Sequence, residues 1–202
     1  MLTQTAPDSK HGIAFVAPNT LIAFQGEFGA FGHEAVQLLR HGAHAVPMPT
    51  FAAVVAALRQ GKVSYGVLPV ENTIIGPIAE SCGVIVAADD VDVVGEVSVP
   101  VRLCVLGVPG ATIDQVTMLV SQDVALAQIR VFLRAHPGIT TQTAHDTAGA
   151  AKLVASRGDP SIAAVASSRA ARQYGLSVLA AGIEDVAGNA TRFAVIALRD
   201  RH

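Results

Sequence analysis

Leu21-Ile22-Ala23-Phe24-Gln25-Gly26-Glu27-Phe28-Gly29-Ala30-Phe31-Gly32-His33-Glu34-Ala35-Val36-Gln37-Leu38-Leu39 reads as a strand, a glycine loop and a helix in succession. The apolar run 21–25 stops at Gly26, and glycines recur at 29 and 32. Apolar residues then return at 35, 36, 38 and 39 with helical spacing. The same rhythm continues downstream. Thr50 can cap a helix running to Leu58, closed by Gly61. Tyr65-Gly66-Val67-Leu68-Pro69-Val70 is the next strand, and it delivers Glu71-Asn72-Thr73 at its C-terminal end. Open α/β sheets bind ligands at the C-terminal ends of their strands, so the Gly26 loop and Glu71 are placed to form one wall of a site.

A second unit repeats the pattern. Val91 to Val108 is a long extended stretch, broken by Pro100 and carrying Arg102, and it reads as a strand crossing between two lobes. Val116–Val120 is a strand ending at Ser121-Gln122, followed by a helix from Val124 to Ala135. Thr140–Ala144 is a strand, and Asp146 or Thr147 caps a helix to Ser156. Ile162–Ala166 is a strand, Ser168–Tyr174 a helix closed by Gly175, and Thr191–Leu198 a final strand. The fold class is therefore α/β, with two lobes of like architecture and a cleft between them, a common place for a small ligand. Lobe 1 is expected at about 20–98 and lobe 2 at about 99–190, with the final strand near the crossing strand. Residues 1–19 read as a flexible N-terminal arm.

Composition narrows the function classes. Hydrophobic residues make up 51% of the 202 residues and charged residues 15%, which requires a large core and excludes a disordered chain. A formal net charge of −2 gives no electrostatic reason for a nucleic-acid or anionic-membrane partner. No apolar run reaches the roughly 18 residues of a membrane span, and Ile13–Ala17 is too short for a signal core. Cys82 and Cys104 sit in unrelated contexts and read as buried thiols in a reducing, cytoplasmic setting. His41 and His44 are three apart with no third ligand, so no metal site is expected. The Gly26 loop lacks the Lys-Ser/Thr ending of a phosphate-binding loop. His33 reads as facing solvent, and Arg102 as either reaching the cleft or pairing with an acidic neighbour.

The chemistry concentrates in Asn189-Ala190-Thr191-Arg192-Phe193, where a loop after Gly188 becomes a strand. This run groups an amide, a hydroxyl able to donate to a leaving oxygen, and a guanidinium able to hold a carboxylate bidentately. From spacing alone a capped turn with a surface arginine is the favoured reading. The run is similar to the Asn-x-Thr-Arg-Phe signature of the prephenate dehydratase family. Pro69-Val70-Glu71-Asn72-Thr73-Ile74-Ile75-Gly76 resembles that family's Pro-Ile-Glu-Asn-Ser-x-x-Gly. Val120-Ser121-Gln122, with Gln128 after it, resembles the family's Ser-His segment with its later Gln. Asp146-Thr147-Ala148 matches a further element, and Tyr174-Gly175-Leu176 and Ile183-Glu184-Asp185 match weaker ones. The resemblance covers about residues 21–198 in consistent order. Departures are Ala30-Phe31-Gly32, where the family carries Thr-Phe-Ser, Thr73 for Ser, and Gln122 for His.

What the resemblance implies is a two-lobed, type II periplasmic-binding-protein-like fold with the active site in the inter-lobe cleft. The implied reaction is the decarboxylative dehydration of prephenate to phenylpyruvate, in L-phenylalanine biosynthesis. It needs no cofactor, because aromatisation drives it. Thr191, Glu71, Ser121 and Gln128 are the candidate catalytic residues. Asn72, Thr73, Arg192, Phe193, Asn189, Thr147, Gln122 and Ala30 are the candidate substrate-binding residues. Thr191 is the expected donor to the leaving oxygen and Arg192 the first candidate for a substrate carboxylate. Glu71 either orients its neighbours or merely fixes the turn after its strand. The alternatives are an arogenate dehydratase, a decarboxylase that does not aromatise its product, and a non-catalytic binding protein on the same fold. A homodimer is expected. Family members often continue into a regulatory domain that binds phenylalanine; this sequence stops soon after Leu198, so feedback by that route is not expected.

Overall fold

A computed structural model describes residues 17–39 and 42–199 of the chain. His41 and nearly all of the expected N-terminal arm lie outside the described residues. Two mixed sheets form two lobes. In the first, strands β1 (Leu21–Gln25), β2 (His44–Met48) and β3 (Tyr65–Asn72) run parallel. Strand β11 (Ala190–Leu198) lies antiparallel against β3, and β5 (Val91–Pro100) forms the far edge beside it. In the second, β7 (Met118–Ser121), β8 (Thr140–Thr143) and β9 (Ile162–Ala166) are parallel. There β6 (Cys104–Gly107) lies antiparallel against β9, with β10 (Ser177–Ala181) at the edge. A two-residue strand β4 (Gly76–Pro77) folds back on β3.

The two sheets share one plan. The chain leaves each lobe by an edge strand, β5 or β10, and enters the other as an inner antiparallel strand, β6 or β11. The expected single crossing strand is thus two strands in two sheets, interrupted at Val101–Leu103. Pro100, which has no N–H to donate, ends β5 at the break. The returning connector, 182–189, is tied to the outgoing one: Val101 N–H donates to Asn189 O (2.8 Å) and Ile183 N–H to Leu103 O (3.1 Å). Glu184 accepts from Leu103 N–H and pairs with Arg102, whose side chain therefore points to solvent rather than into the cleft.

Helices cover the sheets where their apolar stripes demand it. α1 (Phe31–Leu39) buries Gly32, Ala35, Val36 and Leu39 against one face of the first sheet. α2 (Phe51–Arg59) packs Val54, Val55, Ala57 and Leu58 on the other face, beside α3 (Ala79–Val86). Thr50 caps α2 by accepting from Ala53 N–H, as its sequence position predicts. In the second lobe α6 (Thr147–Arg157) starts at its Asp146 cap, and α7 (Ser168–Tyr174) starts at its Ser167 cap and stops at left-handed Gly175. The helix expected from Val124 to Ala135 is instead two: α4 (Asp123–Leu126) and α5 (Arg130–Ala135). The break has a long-range cause. Asp185 accepts from the first N–H groups of α5, Arg130 and Val131, and its own N–H donates to Gln128 O. Capping from 55 positions away fixes Gln128 in the gap.

Candidate active site

A cavity of about 560 Å³ opens between the lobes. Its first wall is the glycine loop with Gln25, Gly26, Ala30, Phe31 and Gly32, together with the C-terminal end of β3. Its second wall comes from Gln122–Ala125, Gln128 and Thr143–Thr147, and Asn189, Thr191 and Phe193 close the back. The loop's shape requires glycine at two points. Gly26 and Gly29 have φ of 109° and 93°, a region L side chains rarely adopt. At Gly29 an added Cβ would also come within 2.9 Å of Ala170 Cα in the other lobe.

Strand geometry selects which motif residues reach this cavity. On β11 the alternation is regular, so Thr191 and Phe193 face inward, in line with Asn189 just before the strand, while Arg192 faces out. On β3, Val67 and Pro69 face the cavity, and strict alternation would bring Glu71 next. A bulge intervenes: Phe193 opposes Pro69 and Arg192 opposes Glu71, leaving Val70 as the extra residue. The inward position therefore passes to Asn72, and Glu71 turns outward to meet Arg192.

The inward set forms a buried hydrogen-bonded chain across the lobes. Asn72 Oδ1 accepts from Ile74 N–H (3.0 Å) and Ile75 N–H (3.3 Å), which fixes the orientation of its amide. Its Nδ2 then donates to Asn189 Oδ1 (2.7 Å) and Thr191 Oγ (3.0 Å). Asn189 Nδ2 donates to Gln128 Oε1 (2.8 Å) in the second lobe. Thr73 does not line the cavity; its hydroxyl donates to Asn189 Oδ1 and accepts from Ala190 N–H. Because Thr191 Oγ accepts from Asn72, its own proton is left for the cavity, and an amide donating into a hydroxyl oxygen makes that hydroxyl a better donor.

Besides Thr73, three expected site residues stand elsewhere. Arg192 does not line the cavity; its exposed guanidinium holds Glu71 (2.7 Å) and Glu96 on the outer surface of the sheet. These two carboxylates hold its pKa above the usual guanidinium value, with the Glu71 hydrogen bond the largest cause. The expected contact of Arg192 with a substrate carboxylate is not supported by this placement, and Glu71 is Arg192's partner, not a cavity group. Ser121 is fully buried and donates to Val165 O at 2.6 Å, tying β7 to β9 behind the wall. Gln122, Thr147, Ala30 and Phe193 do line the cavity.

Among the described residues, no Lys or Arg side chain lines the cavity. What faces it instead are helix starts: Phe31 and Gly32 open α1, and Thr147 opens α6 from the opposite lobe. First-turn N–H groups have no intrahelical acceptor, and the helix dipole adds positive potential there. Thr147 is 4% exposed, and no hydrogen bond to its hydroxyl is made among the described residues. Acidic groups stand at the rim: Asp123 accepts from Thr143 Oγ, Asp146 from Gly149 N–H, and Glu80 is exposed. The sequence reading missed Glu80 because α3 was not foreseen, and missed Gln25 and Thr143 because each ends a strand without a motif. No cluster of three metal-ligating side chains exists among the described residues.

The prephenate dehydratase family profile matches residues 22–201, nearly the whole described chain. The chain belongs to the prephenate dehydratase family. It is 37% identical over 198 residues to arogenate dehydratase 5, chloroplastic, of Arabidopsis thaliana, covering 97% of this chain and 45% of that protein. It is 35% identical over 179 residues to the bifunctional N-acyl-homoserine lactone acylase/prephenate dehydratase of Komagataeibacter europaeus, covering 89% and 63%. The chain thus spans about half to two thirds of these relatives' lengths. Among solved structures, the Arthrobacter aurescens prephenate dehydratase in complex with L-Phe superposes with a TM-score of 0.82 at 23% identity, over 90% of this chain and 61% of that one. At that identity the likeness speaks for the fold alone.

Proposed function

We propose that the chain catalyses the decarboxylative dehydration of prephenate, giving phenylpyruvate. The observation that carries this reading is the inward hydroxyl of Thr191, which is buried, lines the cavity and accepts from Asn72, so that its own proton is available to donate. The substrate dianion takes up one proton and yields the phenylpyruvate anion, carbon dioxide and water. The bond from the ring carbon to the hydroxyl breaks as the bond to the ring carboxylate breaks, and that electron pair completes the aromatic ring. The leaving oxygen needs a hydrogen-bond donor already in place, and Thr191 supplies one. A threonine hydroxyl is a poor acid, so Thr191 stabilises or relays, while water supplies the net proton. The side-chain carboxylate is taken by the opposed starts of α1 and α6, with the Thr147 hydroxyl as an added donor. The apolar wall of Phe31, Phe193 and Val67 leaves the ring carboxylate poorly solvated, which favours its loss.

The second reading is the same chemistry on arogenate, which carries an ammonium where prephenate has a keto group. The acidic rim of Glu80, Asp123 and Asp146, with His145 but no Lys or Arg among the described residues that line the cavity, favours it. No helix among the described residues is long and apolar enough to cross a membrane, and both cysteines are free thiols, which suits a reducing compartment such as the cytoplasm. The homodimer expected above belongs to this proposal and is checked by light scattering. The deciding experiment is turnover of prephenate and of arogenate side by side. Phenylpyruvate from the first or phenylalanine from the second supports the dehydratase and chooses its substrate. No aromatic product from either contradicts it.

A further inference from the structure

The glycine loop that opens α1 is held from behind by a side chain the reaction does not use. Gly29 N–H donates to His33 Nδ1 at 3.0 Å. The His33 ring stacks on Phe24 (centroids 5.6 Å, interplanar 19°) and meets Phe28 edge-on (5.3 Å, 78°). The side chain expected at the solvent is thus half-buried between two aromatic rings. The other end of the same glycine faces the second lobe. Ser167 Oγ donates to Gly29 O (3.1 Å) while accepting from Ala170 N–H. One glycine therefore links His33 to the inter-lobe contact, and Ala30, Phe31 and Gly32, which line the cavity, follow directly.

We infer that His33, in its neutral form with Nδ1 unprotonated, is a positioning residue that holds the cavity loop against the second lobe, and that its protonation releases the loop. The logic is one of lone pairs. Nδ1 can accept from Gly29 N–H only while it carries no proton; the imidazolium has two donors and no acceptor, so two N–H groups would face each other. The surroundings favour the neutral ring. Burial, and then the positive charge of Arg169 on α7, lower the His33 pKa from its usual value. Arg169 lies 3.9 Å from Glu34 on α1, and Glu27 on the loop is engaged by Lys152 on α6. β1 presents Phe24 to the ring, with no charge. Sign follows from direction. A histidine with a lowered folded-state pKa adds stability above the unfolded value, and that stability is lost as pH falls toward the folded value. The released state is reached on the acid side of the ordinary histidine range.

The kinetic part of this inference rests on the dehydratase reading, so the test has an arm that does not. The His33 ring and the Gly29 amide are followed by NMR through an acid titration of the whole chain, in wild type and His33→Asn, whose Oδ1 can accept the same bond without titrating. In parallel, kcat/KM is measured against pH for wild type, His33→Asn and His33→Ala. The Gly29 amide is expected to move with the His33 titration in wild type and to stay still in His33→Asn. Wild-type kcat/KM is expected to fall by about tenfold per pH unit below that titration. His33→Asn should recover most of what His33→Ala loses and lack this acid limb. A Gly29 amide indifferent to His33 titration overturns the inference, whether or not the chain turns over any substrate. So does an acid limb unchanged in His33→Asn. If that variant fails to fold, the wild-type coincidence of the two NMR titrations decides alone.

Discussion

The inner and outer faces of one short piece of sheet, where β3 meets β11, carry adjacent residues with opposite fates. On the inner face Asn72, Asn189 and Thr191 are buried, uncharged and joined by hydrogen bonds that continue to Gln128 in the other lobe. On the outer face Glu71 is half-buried, Arg192 and Glu96 are exposed, and their side chains are joined by ion pairs. Each inward group is oriented by another, so truncating one leaves a buried partner unsatisfied, whereas the outer charges can be rehydrated at little cost. The lesson is that a motif of neighbouring polar residues need not be one functional unit. A strand sends them to two environments, and only one of these can do chemistry in a water-poor cavity.

Substitutions can break or sharpen this contrast. Phe193→Ala removes a ring that both lines the cavity and packs in the first-lobe core, and should cost about 3–5 kcal/mol of stability, read from urea unfolding. Asn72→Ala leaves the Ile74 and Ile75 N–H groups without their acceptor, and Asn189 Oδ1 with the Thr73 hydroxyl as its remaining donor. It should cost about 1–3 kcal/mol of stability and lower kcat as well, since Thr191 loses its orienting donor. Gln128→Ala removes the acceptor for Asn189 across the cleft, and a milder loss of about 1 kcal/mol with a rise in KM is expected, read from steady-state kinetics. Glu71→Gln should be the smallest change, within about 1 kcal/mol by thermal unfolding and with kcat near wild type, because both charges of its pair are more than 40% exposed.

How much of this was legible depends on whether the cause was local. The caps at Thr50 and Asp146 and the stop at Gly175 are set by neighbours a few positions away, and the sequence shows them. The alternating β/α pattern likewise declared two α/β lobes. The division of the crossing stretch at Val101–Leu103 and the break between α4 and α5 were not legible. Their causes are the returning connector and Asp185, far along the chain. β2 carries Pro47 at a sheet edge, β10 is an edge strand, and α3 buries only Ser81, so none offered a clear period. In the site, Thr191, Asn72, Asn189, Gln128 and Thr147 are brought together as the motifs suggested. The bulge at Val70 is what sequence could not show, and it alone decides that Asn72 faces the cavity and Glu71 does not.

The most direct measurement compares Thr191→Ala with Arg192→Ala in the same assay, on whichever of prephenate or arogenate the wild type turns over. The account predicts that kcat falls by roughly 10²–10³-fold in Thr191→Ala, as for the loss of one donor to a developing oxyanion, and changes little in Arg192→Ala. A collapse of kcat or a steep rise in KM in Arg192→Ala, with Thr191→Ala close to wild type, would contradict it.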